Sequence, residues 1–168
     1  MIDLIVRSTI PAALSILPPK MDTTGARAML VAIGLQESRF LYRRQVNHGP
    51  ARGFWQFEKA GVRGVMKHEA SRGPAREALR FLKYEHLVDE QSFQTADIQY
   101  ALEDNDMLAC VFARLLLWTL PGTMPKAHES ALGWAQYLDA WRPGKPHQAT
   151  WDALFREAWN RVSGEVKE

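Results

Sequence analysis

Two neighbouring segments, Gln36-Glu37-Ser38-Arg39-Phe40 and Gly49-Pro50-Ala51-Arg52-Gly53-Phe54-Trp55-Gln56-Phe57-Glu58, are the most informative part of this chain. A helical stripe leads into the first of them. Its members follow the i, i+3, i+4, i+7 spacing of one helix face and are Ala26, Met29, Leu30, Ile33 and Glu37. Asp22, Thr23 and Thr24 offer oxygens that cap such a helix at its start. The pattern therefore predicts a helix from Asp22 to Glu37 whose apolar face ends in a carboxylate.

The position of Glu37 suggests a chemical role for its carboxyl group. A solvated carboxylate titrates near pH 4, whereas one in apolar surroundings holds its proton to higher pH and can give it to a leaving group. The alternative is a helix-end glutamate that reaches solvent or pairs with Arg39, Arg43 or Arg44. If the first interpretation holds, the protein is an enzyme that cleaves a bond by protonating an oxygen.

The second segment combines turn residues, aromatic residues and another acid. Gly49 and Gly53 allow tight turns of the backbone. If residues 54–58 are extended, their side chains alternate, so that Phe54, Gln56 and Glu58 share one face and Trp55 and Phe57 the other. The sequence then predicts that Gln56 and Glu58 face a cleft. A hairpin in which both side chains are merely solvated is the alternative.

The remaining sequence predicts a mainly α protein, because apolar residues recur at helical spacing between Gly and Pro breaks. With the helix ending at Glu37, about seven helices are expected around a central apolar one, and a small irregular or β-hairpin lobe (residues about 43 to 60) follows Glu37. The other helices are expected near 8–17, after Gly73-Pro74, and near 95–103, 107–120, 125–141 and 149–162. A length of 168 residues suits a single domain over 1–168.

Composition narrows the possible functions. The net charge is +2 and no run of five Lys or Arg residues occurs, which argues against a nucleic-acid partner. The single cysteine, Cys110, lies in an apolar run and is expected to be buried, and the five histidines lack metal-ligand spacing, so neither metal nor cofactor is implied. We find neither a signal peptide nor an apolar run long enough to insert stably in a membrane. Oligomeric state is left open.

The residues Glu37-Ser38-Arg39-Phe40 and then Gly49 to Gln56 resemble the goose-type lysozyme and soluble lytic transglycosylase group of the lysozyme-like superfamily. That group has a Glu-Ser pair at a helix end, a Gly-Leu-Met-Gln type of motif and a later Ala-Tyr-Asn-x-Gly motif. The resemblance covers about residues 26 to 60. The third motif is absent, and its nearest counterpart is the segment from Ala131 to Tyr137, which leads into Trp141-Arg142-Pro143-Gly144-Lys145-Pro146.

The resemblance implies an α+β lysozyme-like fold and assigns roles to individual residues. Glu37 matches the catalytic acid, and Ser38 matches the hydroxyl that holds that helix end or its carboxylate. Gln56 matches the glutamine that lines the sugar site. Tyr137 is a candidate for a tyrosine that contacts the catalytic carboxylate, and an ordinary tyrosine of an amphipathic helix is the alternative. Ser38, Gln56 and Tyr137 are thus the expected substrate-binding set.

The implied activity is cleavage of the β-1,4 bond between N-acetylmuramic acid and N-acetylglucosamine in peptidoglycan. Glu58, a second candidate catalytic residue, favours a two-carboxylate hydrolase, whereas a lytic transglycosylase uses one glutamate to form a 1,6-anhydro product. Two alternatives stay open: a catalytically silent structural or wall-binding virion protein, and a chitinase-like hydrolase. The chain also resembles bacteriophage proteins, which are expected to be cytoplasmic until delivered to the cell wall, or virion-associated.

Overall fold

The computed structural model describes residues 1–164, and they form a mainly helical structure. The α-helices are α1 (Ile2–Leu4), α2 (Ile10–Ser15), α3 (Thr24–Glu37), α4 (Lys59–Lys67), α5 (Arg72–Phe81), α6 (Thr95–Asp104), α7 (Asp106–Trp118), α8 (Ser130–Trp141) and α9 (Gln148–Gly164). A π-helical turn, Ile5–Thr9, joins α1 to α2, so this first helical stretch begins well before the predicted residue 8. Short 3-10 turns lie at Pro19–Met21, Val46–His48 and Glu85–Leu87.

Helix α3 confirms the predicted helix that ends at Glu37. Thr23 is its N-cap, because its hydroxyl oxygen accepts a hydrogen bond from the Ala26 amide at 3.1 Å. Residues 28–35 are all buried, and the helix lies along α9. Burial therefore extends over most of the helix, and Glu37 stands at the point where the buried part ends.

Helix α7 carries the longest buried run of the described chain, from Leu108 to Leu117. It contacts α2, α3, α4, α5, α6 and α8, and it contains Cys110, which is fully buried as expected. Its N-cap is Asn105, whose side-chain oxygen accepts from the Leu108 amide at 2.9 Å. The neighbouring Asp106 pairs with Arg43.

Residues 38–58 form an irregular lobe, which is one of the two forms that the sequence predicts for this region. Within residues 1–164, β-structure is limited to isolated bridges, two of which, Arg44 with Arg52 and Arg52 with Phe57, lie in the expected hairpin lobe. Helix α4, over residues 59–67, is not among the helices that the sequence predicts. The buried residues of α4, which are Val62, Val65 and Met66, follow helical spacing, and their burial outweighs the cost of two glycines in a helix.

The C-terminal part of the described chain confirms the helix predicted near 149–162 and packs its aromatic side chains in the core. On α9 the buried side chains are Trp151, Leu154, Phe155, Ala158 and Val162, and Trp159 is partly buried. Helix α8 begins at Ser130, later than the predicted residue 125, and packs on α9. Most of the buried apolar residues from Ile5 to Val162 form one hydrophobic cluster. The end of α3 contacts α8 through Tyr137 and the loop before α9 through His147.

Candidate functional site

A cleft of about 870 Å³ opens where the ends of α3, α7 and α8 meet α4 and the loops 42–58 and 142–147. Glu37 lines this cleft together with two further acids, amide and aromatic side chains, and a basic loop. The polar and aromatic side chains that line the cleft include Glu37, Tyr42, Gln45, Gln56, Glu58, His68, Asp139, Trp141, Arg142, Lys145 and His147. The volume falls within the range of ligand-binding pockets.

Glu37 is the last residue of α3, and it is partly buried at the cleft surface. Burial raises the pKa of Glu37 to about 7, because removal from water penalises the charged carboxylate. The negative charge of Glu58 acts in the same direction, and a hydrogen bond from Tyr137 opposes both. A carboxyl group with a pKa raised in this way can both donate and accept a proton near neutral pH, as general acid and base catalysis requires.

Tyr137 contacts the Glu37 carboxyl group, as predicted from the sequence. Its hydroxyl donates to Glu37 Oε1 at 2.5 Å, across 100 positions of sequence. The Tyr137 ring is buried and stacks on Trp151 with centroids 5.4 Å apart and an interplanar angle of 9°. Burial and the adjacent carboxylate raise the pKa of Tyr137 well above its usual range, so the hydroxyl remains a donor. Tyr137 thus holds the acid in place and does not line the cleft itself.

Ser38 also has a positioning role, and its predicted place in the substrate-binding set needs correction. The side chain is 0 % exposed, so it cannot touch a ligand in the cleft. Its hydroxyl donates to the Phe54 carbonyl at 2.7 Å and accepts from the Phe40 amide at 3.1 Å. These bonds tie the end of α3 to the 53–56 turn, which agrees with the alternative role of holding the helix end.

The segment from Gly53 to Gln56 forms a tight turn instead of the predicted extended strand. Arg52 and Phe57 exchange backbone hydrogen bonds of 2.9 and 2.7 Å and close the turn. Gly53 has φ +76°, and a Cβ there would lie 2.8 Å from the Leu102 carbonyl oxygen, so only glycine fits. The alternation is lost, and Phe54, Trp55 and Phe57 are all buried.

Gln56 is the member of this turn that lines the cleft. It has a left-handed backbone with φ +50° and is 8 % exposed. Its side-chain amide donates to the Gly53 carbonyl at 2.9 Å. Because this bond fixes the amide within the turn, Gln56 presents its side chain to the cleft in one orientation.

Glu58 lines the same cleft as Glu37, as the sequence predicts, but it does so from the start of α4 and not from an extended strand. It is the exposed residue that immediately precedes α4, and its charge acts on the Glu37 carboxyl. Arg52, which is close to Glu58 in sequence, contacts Glu103 at 3.0 Å instead. The Glu58 carboxylate is thus open to a ligand or a water molecule.

Two of the three arginines that offered an alternative partner for Glu37 are engaged elsewhere, and the third, Arg39, forms no ion pair with Glu37. Arg43 forms a bidentate pair with Asp106 at 2.7 Å, and Arg44 pairs with Glu103 at 2.9 Å. Gln99 adds two hydrogen bonds, from its amide to the Pro50 and Phe57 carbonyls at 2.8 and 2.7 Å. These contacts fasten the 42–58 loop to α6 and α7 and leave the Glu37 carboxylate facing the cleft.

Several residues that line the cleft were not predicted. They are Tyr42, Gln45, His68, Asp139, Trp141, Arg142, Lys145 and His147. Trp141 closes one wall, since its indole N–H donates to the Trp55 carbonyl at 2.8 Å and its ring packs on Phe57. The expected contact of Tyr137 with Glu37 could have indicated some of them. Such a contact brings the end of α8, and the loop that follows it, close to the acid.

Among residues 1–164, we find no group of three or more His, Cys, Asp or Glu side chains arranged to hold a metal ion. None of the helices within that range has the length and apolar character needed to cross a membrane.

Comparisons of the chain with protein-family models, with curated proteins and with solved structures each found no match. Inference about function therefore rests on the geometry of the cleft and on the residue motifs.

Proposed function

We propose that this protein is a glycosidase that cleaves the β-1,4 bond between N-acetylmuramic acid and N-acetylglucosamine in peptidoglycan, with Glu37 as general acid and base. The proposal includes a lysozyme-like α+β arrangement around the apolar helix α7. The observation that carries it is the state of Glu37: a carboxyl group with a pKa of about 7, held by Tyr137 on the surface of a cleft of about 870 Å³. The Glu-Ser and Gly-to-Gln motifs supply the substrate class.

In the first step, the protonated Glu37 gives its proton to the glycosidic oxygen as the bond to the anomeric carbon breaks. The leaving sugar departs with a new hydroxyl group, and positive charge develops at the anomeric carbon. Tyr137 then stabilises the carboxylate that Glu37 has become, because a hydrogen bond favours the charged form. The same contact keeps the carboxyl oxygen aimed at the reacting bond.

Two second steps are compatible with this cleft, and Glu58 decides between them. In hydrolysis, Glu58 activates a water molecule or forms a glycosyl ester that water then opens. In transglycosylation, ionised Glu37 takes the proton of the sugar's own C6 hydroxyl, which closes a 1,6-anhydro ring. The open carboxylate of Glu58 beside Glu37 favours hydrolysis.

Replacement of Glu37 by Gln tests the proposal. The amide keeps the shape and can accept from Tyr137 but has no acidic proton, so turnover of purified cell walls should fall by at least about 10²-fold. Turbidity clearing and zymograms measure the loss, and circular dichroism verifies that the variant folds. Retention of more than about a tenth of the wild-type rate would remove Glu37 from the mechanism.

Glu58→Gln, with product analysis, distinguishes the two second steps. Hydrolysis predicts reducing ends in the mass spectrum of wild-type products and a loss of turnover in Glu58→Gln of at least about 10²-fold. Transglycosylation predicts 1,6-anhydro ends and a variant that stays active. Asp139→Asn, which removes another exposed carboxylate from the same cleft, is the matched control.

A further inference from the structure

The loop that joins α8 to α9 places a set of basic side chains at the cleft. Arg142, Lys145 and His147 all line it, and residues 142–147 include no acid. Among the described residues that line the cleft, Arg142 and Lys145 are the only ones with a Lys or Arg side chain. The acids of the cleft, Glu37, Glu58 and Asp139, come from other segments.

The two cations of this loop lack an acidic partner. Neither Arg142 nor Lys145 is within 4.0 Å of a carboxylate oxygen belonging to residues 1–164. The arginines of the 42–58 loop behave differently, because Arg43, Arg44 and Arg52 are each paired with an acid of α6 or α7. Arg142 keeps one long hydrogen bond, from Nε to the Asp139 carbonyl at 3.4 Å. Without a carboxylate partner, Arg142 and Lys145 can each bind an acidic group that a ligand brings.

The loop is also fixed in position relative to the catalytic acid. Gln36, the neighbour of Glu37, donates from its amide nitrogen to the His147 carbonyl at 3.1 Å and accepts from the Thr150 hydroxyl at 3.0 Å. At the other end, Trp141 is held by its bond to the Trp55 carbonyl, and Arg142 adopts φ +49° to end α8. A loop anchored at both ends loses little further conformational freedom when it binds a ligand.

We infer that Arg142 and Lys145 form a subsite that binds a carboxylate carried by the glycan, and that this subsite makes the enzyme selective for acidic over neutral N-acetylated glycans. The inference rests on the proposed glycosidase activity and specifies its substrate. Such a carboxylate comes from two sources, the lactyl group of N-acetylmuramic acid or the peptide attached to it. A neutral N-acetylglucosamine polymer offers neither, so the subsite would separate a muramidase from a chitinase-like enzyme.

The test compares glycan strands that differ only in charge. Peptide-free strands with free lactyl carboxylates are compared with the same strands after conversion of those carboxylates to methyl amides. The wild type should show a kcat/KM about tenfold higher on the free acids, which is the usual size of one partly exposed charge-assisted contact. Arg142→Gln combined with Lys145→Gln should abolish the preference, and added salt should reduce it in the wild type.

Arg63→Gln combined with Lys67→Gln is the matched control, because both residues are exposed on α4, neither lines the cleft, and the same charge is removed. This control should keep the preference. Intact peptidoglycan separates the two carboxylate sources. If Arg142 and Lys145 affect the cleavage of intact peptidoglycan but not of peptide-free strands, the subsite binds the peptide carboxylate. If the double variant in the loop matches the wild type on all three substrates, or loses activity equally on acid and amide strands, the subsite does not exist.

Binding to the Glu37→Gln protein, measured by calorimetry, distinguishes failure of this inference from failure of the proposed function. About tenfold weaker binding of the acidic strands after the loop substitutions supports the subsite even if the wild type cleaves nothing. In that case the protein is a glycan-binding protein without activity. Unchanged binding in an active enzyme would overturn the subsite and leave the glycosidase assignment standing.

Discussion

At the residue scale, the hydrogen bond from Tyr137 and the burial of Glu37 act on one carboxyl group in opposite directions. Burial raises the pKa of Glu37, whereas the Tyr137 hydroxyl lowers it by favouring the charged form. The balance leaves a value of about 7. Since acid catalysis requires the protonated form, activity should fall as pH rises through that value.

Tyr137→Phe removes the opposing hydrogen bond and should therefore raise the pKa of Glu37 further, by about one unit. The alkaline limb of kcat/KM should move to higher pH, while the maximal rate falls because the carboxyl group loses its fixed orientation. A pH profile on cell-wall substrate measures both effects. Tyr100→Phe, at an exposed tyrosine outside the cleft, should change neither, and a limb that stays in place or moves down in Tyr137→Phe would contradict the argument.

The parts of this site that could be predicted from sequence are those fixed by local pattern. Helical spacing places Glu37 at the end of a buried face, and turn residues place Gln56 and Glu58 in an irregular loop beside it. The orientation of each side chain in that loop could not be predicted, because it depends on Gly53 fitting against the Leu102 carbonyl and on Ser38 binding the Phe54 carbonyl. Such contacts join residues that are distant in sequence.

At the element scale, the junction between α3 and the loop after it depends on Gly34. The Phe40 ring occupies the space beside this glycine, since a Cβ there would lie 2.0 Å from Phe40 Cζ. Phe40 in turn contacts Phe54 and Trp55 edge to face, with centroids 5.6 Å away in each case. The close approach of this ring to α3 therefore supports both the end of the catalytic helix and the 53–56 turn.

Gly34→Ala should lower the free energy of unfolding by about 1–3 kcal/mol, because the Phe40 ring must move and disturb its aromatic neighbours. Urea denaturation measures the change, and the specific activity of the folded fraction should also fall. Gly73→Ala on α5 is the control, since a Cβ there meets nothing within 4 Å. That substitution should leave stability unchanged or raise it by up to about 1 kcal/mol, and equal effects of the two would refute this role for Gly34.

Helix α4 illustrates why an element can be missed although its pattern is present. Gly61 and Gly64 weaken the local helical preference, and Val62, Val65 and Met66 restore the helix only by packing in the core. Both glycines line the cleft, where a Cβ on Gly61 would lie 3.1 Å from the Phe57 ring. Small residues here keep α4 close to the 53–56 turn, a requirement that the local sequence does not reveal.

At the scale of the whole molecule, the cleft is assembled from segments that the chain brings together only on folding. Glu37 and Tyr137 are 100 positions apart, and the Gln36 amide reaches the His147 carbonyl over a separation of 111. The α3–α9 and α8–α9 packing makes these contacts possible. The packed helices thus hold the Glu37 carboxyl group in a partly buried position. This burial lowers the stability of the fold when the group is ionised.

The cost follows from the raised pKa of Glu37. A carboxyl group that binds its proton more tightly when folded stabilises the protein fully below its unfolded pKa near 4.5, and this contribution is lost as pH rises through about 7. Above pH 7 the fold carries a partly buried negative charge. Glu37→Gln removes that charge and should therefore stabilise the protein at pH 8, by about 1–2 kcal/mol.

Thermal unfolding at two pH values tests this expectation. At pH 8 the Glu37→Gln protein should melt about 2–4 °C higher per kcal/mol gained, whereas at pH 4 both proteins carry a neutral group and their melting temperatures should converge. Glu58→Gln, which alters an exposed carboxylate, is the control and should show a much smaller difference between the two pH values. A Glu37→Gln protein with the same stability difference from the wild type at both pH values would show that the fold carries no electrostatic cost at this position.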